Sequence, residues 1–198
     1  MLTRAEIKNF GPLKDIMWPN LGRINLVIGG NASGKTFLLK ALYCAVRTVE
    51  EYKRGNEQRT AAEILADKLY WTFQPERIGE LVTKGADSAL SCEVDIDQGG
   101  LSYSFGKDTT KQIAVDERRL APRSSNSIFL PAKEVLSLHH IILSSRDVDK
   151  LFGFDDTYLD LARALQQPTT RGKNFYSFAD SRTRLIEMLG GRVEMEPD

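Results

Sequence analysis

One stretch of this chain has residue types at a spacing that could do chemistry without help from elsewhere: Gly29-Gly30-Asn31-Ala32-Ser33-Gly34-Lys35-Thr36. It satisfies G-x-x-x-x-G-K-[ST], the Walker A spacing of a phosphate-binding loop. Backbone N–H groups at a helix start lack intrahelical partners and point outward, so they can cradle phosphate oxygens. Glycines let that backbone approach closely. A lysine at position 35 neutralises the β- and γ-phosphates, and the hydroxyl of Thr36 is placed to ligate Mg²⁺. The candidate nucleotide-binding residues are therefore Gly29, Gly30, Asn31, Ala32, Ser33, Gly34, Lys35, Thr36 and the next residue, Phe37. Lys35 is the candidate catalytic residue and Thr36 the candidate metal ligand.

Such a loop needs a strand before it and a helix after it. Residues 24–28, Ile-Asn-Leu-Val-Ile, form a compact apolar run bounded by glycine, which predicts a strand buried on both faces. From Lys35 to about Lys53 the pattern turns helical, apolar around most of the circumference at first and polar in its last turns. Upstream, residues 2–10 alternate as a half-buried strand, Gly11-Pro12 reads as a turn, and residues 13–18 return as a second strand. Downstream, residues 61–73 read as a second helix stopped by Pro75. Residues 89–96 and 101–105 alternate with period two around Gly99-Gly100, which predicts an antiparallel hairpin with one wet face. Residues 127–130 read as a short strand ending at Pro131. Residues 134–144, 156–166 and 180–189 are helical in period, and residues 192–196 begin a further strand. The expected organisation is a single lobe: a core at 1–55, a mixed helical and antiparallel insertion at 56–126, and a strand plus helical region at 127–198.

Composition narrows the class. The 198 residues are 41% apolar, 27% charged and 9% aromatic, as in an ordinary soluble globular protein with one sizeable core. Lys+Arg 27 against Asp+Glu 27 gives no net charge, so bulk charge argues for no polyanionic partner. The distribution is uneven: basic residues outnumber acidic ones over residues 1–60, and the balance reverses over 61–110. Cys44 and Cys92 cannot make a disulfide framework, which points to a reducing cytosol. No apolar run approaches the ~18–20 residues that span a bilayer, and the start lacks a signal-peptide pattern. The expectation is a soluble cytoplasmic protein with no membrane partner.

Ile7-Lys8-Asn9-Phe10-Gly11-Pro12-Leu13, followed closely by residues 24–36, resembles the amino-terminal start of ABC-type ATPases. Within these it is most similar to the branch of SMC and RecF proteins and the OLD-type ATPases of DNA repair and anti-phage defence. That branch reads I-x-N-F on its first strand and G-x-N-G-x-G-K-[ST] in its loop. The resemblance implies an α/β P-loop NTPase fold with a mainly parallel core sheet, an antiparallel side sheet and a helical insertion. It implies ATP and Mg²⁺ as cofactors, with Asn31 contacting the terminal phosphates and Lys8 and Asn9 lining the nucleotide site. It also implies a homodimer or head-to-head assembly, acting on DNA or controlling a partner nuclease. Ala32 departs from the family glycine.

Residues 127–134 resemble, more faintly, the Q-loop region of the same ATPases; no glutamine is present, so Lys133 and Glu134 are only positional candidates there. Ile113-Ala114-Val115-Asp116-Glu117 resembles a short Walker B, which makes Glu117 a candidate for orienting water. Only three apolar residues precede the acids, whereas a central parallel strand needs a longer run, so an exposed hairpin edge is the competing reading. No signature sequence is found, and the lobe reads as incomplete. Adjacent His139 and His140 point about 100° apart on a helix and do not converge on one metal. Arg118, Arg119 and Arg123 could touch nucleic-acid phosphates or sit in a solvated loop. Two other readings stay open: a small P-loop nucleotide or metabolite kinase, and a non-hydrolysing regulator of a partner nuclease.

Overall fold

The computed structural model describes residues 1–131, 138–167, 183, 184 and 187. Met1–Leu165 and Gln166–Asp198 form two compact units, and the strands and helices named here belong to the first. Alternation over the first residues makes β1 (Leu2–Phe10), with Ala5, Ile7 and Phe10 fully buried. The step from 7 to 10 breaks period two because Asn9 is left-handed, φ 53°, and this brings Phe10 to the core side. β2 (Leu13–Trp18) folds back antiparallel, Phe10 opposite Leu13 and Ala5 opposite Trp18. β3 (Leu90–Ile96), β4 (Gly99–Phe105) and β5 (Ala114–Asp116) complete a five-stranded sheet in the order β2-β1-β3-β4-β5.

Every pairing in this sheet is antiparallel. The hairpin forms as the alternation predicts, but its turn is Asp97-Gln98, with Ile96 opposite Gly99. Asp97 takes the left-handed position, φ 53°, that short polar side chains tolerate. Gly99 and Gly100 instead open β4.

The predicted parallel core sheet is not found among the described residues, and two segments account for the difference. Residues 24–28 join no ladder; Val27 packs on the core, while Ile24, Leu26 and Ile28 are 93%, 78% and 83% exposed. Residues 127–130 behave alike, with Phe129 inward and Ile128 and Leu130 exposed. Both have strand-forming sequences and lack a neighbouring strand to bond among the described residues. The predicted strand at 192–196 and most of the predicted helix at 180–189 lie outside the described residues.

One face of the sheet carries α1 (Lys35–Glu51), whose buried Leu38, Ala41, Leu42, Ala45 and Val49 join Leu90, Val94, Leu101 and Tyr103 in the main core. The other face is laced with charge: Arg4 bonds Glu6 at 2.5 Å and Glu93 at 2.9 Å, and Arg119 bonds Glu93 at 3.0 Å and Asp95 at 2.5 Å. α2 (Ala61–Phe73) packs along α1. Its start is a capping box, Thr60 and Glu63 each accepting the other's backbone N–H, and it ends where Gln74 turns left-handed before Pro75. α3 (His139–Leu143) runs into a π-helical turn at Ser144–Val148, and α4 (Asp156–Leu165) packs back on it.

Ionic contacts fasten α4 to the first two helices. Lys68 of α2 reaches Asp156 at 3.1 Å and Glu51 at 2.9 Å, Arg146 reaches Asp156 at 2.6 Å, and Arg47 reaches Asp160 at 2.9 Å. The surrounding carboxylates hold the Lys68 ammonium charged above its ordinary range in spite of the opposing effect of burial.

The two cysteines give this fold a pH signature. Cys44 on α1 and Cys92 on β3 are buried, and burial pushes each thiol from 9.0 to about 12. A pKa raised in the folded state gives stability that is complete below pH 9 and is lost as pH rises toward 12. Each thiol therefore contributes a pH-dependent stability that disappears across that window. Urea unfolding from pH 8 to 12 should show a steep loss of stability for the wild type and a shallower slope for Cys92→Ala. Parallel slopes would refute the assignment.

Candidate functional site

Residues 29–34 pass without regular structure into α1, and Gly34 forms the N-cap at φ 88°. A side chain there would be strained, and its Cβ would also lie 3.0 Å from Leu13 Cδ2 and 3.2 Å from Pro12 Cγ. The first helical bond runs from Leu38 N to Gly34 O, 2.8 Å, so the N–H groups of Lys35, Thr36 and Phe37 lie at the positive end of the helix. α2 covers its equivalent donors with a capping box; α1 has no side-chain cap.

This uncapped end opens into a cleft of about 440 Å³. Residues 32–37 form one wall, and Pro12, Lys40, Thr72 and Phe73 form the rest. Two lysines and no carboxylate line it, so the cleft suits an anion. The Lys35 ammonium folds over its own loop, donating to Gly29 O at 2.7 Å, Gly30 O at 2.6 Å and Ser33 Oγ at 3.5 Å. Those carbonyls hold the cation in the loop where a phosphate oxygen could take it over. Thr36 is exposed and lines the cleft, so it can offer Mg²⁺ one oxygen; no lining carboxylate offers a second.

Three rings hold this end of α1 in place. Phe37 packs edge-on against Phe10 at 5.4 Å and at a tilt against Phe73 at 4.5 Å, and Phe10 meets Phe73 at 5.4 Å. Gly11, φ 53°, lies so close that a Cβ would sit 2.4 Å from the Phe37 ring. The β1–β2 turn is thereby pressed against the helix start.

The structure gathers residues 32–37 at the cleft, with Lys35 tied back to Gly29 and Gly30, and leaves the other candidates elsewhere. Lys8 pairs with Glu6 at 2.7 Å, and Asn9 donates to Ser88 Oγ at 2.7 Å; neither lines the cleft. Glu117 accepts from Tyr52 Oη and from Ala61 N, both at 3.3 Å, which places it beside the far end of α1. Seventeen residues at 1.5 Å each put Tyr52 roughly 25 Å along the helix from Lys35. Asp116 binds Arg118 at 2.6 Å, and this pairing holds its carboxyl down at about 2. The segment is the edge strand β5, not a central one. Lys133 and Glu134 lie outside the described residues.

Arg119 and Arg123 are engaged in ion pairs with Glu93 and Asp95, and with Glu50 and Asp97. The rings of His139 and His140 lie 3.8 Å apart, and no metal-holding group of His, Cys, Asp or Glu occurs among the described residues. Nor is any helix among them long and apolar enough to cross a membrane.

Four lining residues escaped the sequence reading: Pro12, Lys40, Thr72 and Phe73. Only Lys40 had a signal, since it follows Thr36 by four residues and shares its helix face.

No protein-family model and no curated protein matches the chain. Among solved structures it is similar to one from work on ATP-driven dimerization and DNA-stimulated activation of SMC ATPases, with 14% identity and a TM-score of 0.39 over 95% of this chain and 98% of that one. It is also similar to the recombination mediator RecF with ATP, of the RecFOR pathway, with 17% identity and a TM-score of 0.41 over 98% of this chain. The chain spans 47% of that RecF chain. Likeness at this level fixes neither the chemistry nor the partners of this chain.

Ala32 adopts φ 60°. A side chain in this left-handed region costs about 1 kcal/mol relative to glycine. Ala32→Gly should raise the unfolding free energy by about that amount in urea melts, with m unchanged. A loss of stability would show that the strain is absent.

Proposed function

We propose that the chain binds ATP in the cleft at the start of α1, as the amino-terminal lobe of an ABC-type ATPase of the SMC, RecF and OLD-like kind. The observation that carries this reading is an uncapped helix N-terminus opening into an acid-free cleft walled by Lys35 and Lys40. The I-x-N-F strand and the loop sequence around Asn31 support the ABC-type branch over a small kinase. ATP would lay its phosphates along the N–H groups of residues 34–37. Lys35 would leave Gly29 O and Gly30 O to bond the β- and γ-phosphate oxygens, exchanging neutral acceptors for charged ones. The Thr36 hydroxyl would hold Mg²⁺, which when bound neutralises charge between the terminal phosphates.

Hydrolysis also needs a group that orients water, and no carboxylate lines the cleft. In this reading a second lobe supplies that group and a head-to-head dimer completes the site. The work would then be done on DNA or on a partner nuclease, in repair or phage defence. Residues 24–28 support the second lobe, because they lead into the loop with Ile24, Leu26 and Ile28 uncovered.

Isothermal titration should show ATP binding to the wild type and none to Lys35→Ala. Equal affinity for both would overturn the reading. Thr36→Ala should weaken binding chiefly when Mg²⁺ is present. Turnover by this chain alone should stay near background, because missing transition-state electrostatics cost at least ~3–4 kcal/mol, or two to three decades in rate. Fast turnover abolished by Glu117→Gln would instead make Asp116-Glu117 a working Walker B.

A further inference from the structure

Lys40 is the second cation of the cleft, and the loop motif does not account for it. It lies on α1 one turn beyond Thr36, and helical side chains lean toward the N-terminus, so its stem runs toward the phosphate end. Its side chain is 20% exposed, and its ammonium sits at a junction of three helices. It bonds Asp155 Oδ2 at 2.5 Å, just before α4, and reaches Thr72 O in the last turn of α2 at 3.4 Å. The other oxygen of Asp155 faces away from the lysine and caps α4, accepting from Thr157 N at 2.9 Å and Thr157 Oγ1 at 2.5 Å.

One carboxylate therefore holds the cleft's second cation with one oxygen and the start of α4 with the other. We propose that Lys40 is a second phosphate-contacting residue, held in reserve by Asp155, so that an anion entering the cleft competes with Asp155 for the Lys40 ammonium. This rests on the cleft being a nucleotide site. A phosphate carrying more than one negative charge is a stronger partner for an ammonium than a single carboxylate. Entry of the terminal phosphate thus draws Lys40 inward and releases the Asp155 oxygen from its ion pair. Occupancy at the start of α1 is then linked to the seating of α4 through one shared cation. By reciprocity, weakening the Lys40–Asp155 pair strengthens binding in the cleft.

Asp155→Asn isolates the effect, because its amide oxygen still caps α4 while its charge toward Lys40 is gone. Titration of ATP into the full chain should show about tenfold tighter binding for Asp155→Asn than for the wild type. Lys40→Met should bind more weakly than the wild type, and the double variant should match Lys40→Met. Lys40→Arg, which keeps the charge, should restore most of the affinity that Lys40→Met loses. Circular dichroism identifies any variant that fails to fold; if Asp155→Asn is one, the Lys40→Met and Lys40→Arg pair decides. If Lys35→Ala loses binding while Asp155→Asn equals the wild type, or Lys40→Met binds as well as the wild type, the role of Lys40 is refuted and the cleft stands. If ATP binds neither the wild type nor Lys35→Ala, the nucleotide reading itself falls and this proposal with it.

Discussion

The packing of three phenylalanines from distant parts of the chain governs this structure. Phe10 ends the first strand, Phe37 belongs to the first turn of α1, and Phe73 closes α2. Their mutual contacts fix where α1 begins relative to the sheet, and so where its unpaired N–H groups point. Two backbone features let them meet: Asn9 is left-handed, which sends Phe10 inward, and Gly11 has no Cβ to strike the Phe37 ring. The cleft is the space left on the polar side of this cluster.

The opposite end of α1 is held by a different kind of force. Glu50 is fully buried, yet its carboxylate accepts from Arg123 at 2.9 Å, Arg47 at 3.2 Å, Ser127 N at 2.8 Å and Ser127 Oγ at 2.7 Å. A buried anion is tolerable only when its lone pairs are satisfied this fully. An acidic residue near a helix C-terminus also opposes the macrodipole, and the two guanidiniums offset that. The network ties Arg123 and Ser127 to the end of α1, and residues 127–130 begin from there. Apolar shape thus sets the loop end of the helix, and charge sets the other.

Much of this was legible because it is local. The period-two runs of β1, β2, β3 and β4, the helical period of α1 and α2, and the loop from Gly29 to Thr36 depend on near neighbours. The differences arise where the outcome depends on distant parts of the chain or on register. Residues 24–28 and 127–130 are apolar enough for a buried strand, but composition reports a preference for burial and says nothing of whether another strand stands alongside. The turn was placed on Gly99-Gly100 because glycine is the strongest turn signal, while the register put Asp97 there. Thr72 and Phe73 line the cleft only because α2 folds back on α1, a relation no spacing encodes. Asp116-Glu117 lies on the edge strand, as the short apolar run before it suggests, because a central strand needs a longer one.

The exposed stretch at residues 24–28 bears on how the protein behaves in concentrated solution. These residues pair with no strand among the described residues, and Ile24, Leu26 and Ile28 are exposed. The stretch lacks the charge and proline that usually discourage association, since the five residues include no lysine, glutamate, aspartate or proline. The same residues lead into the Gly29–Thr36 loop, so the approach to that loop is an apolar surface open to contact between copies of the chain.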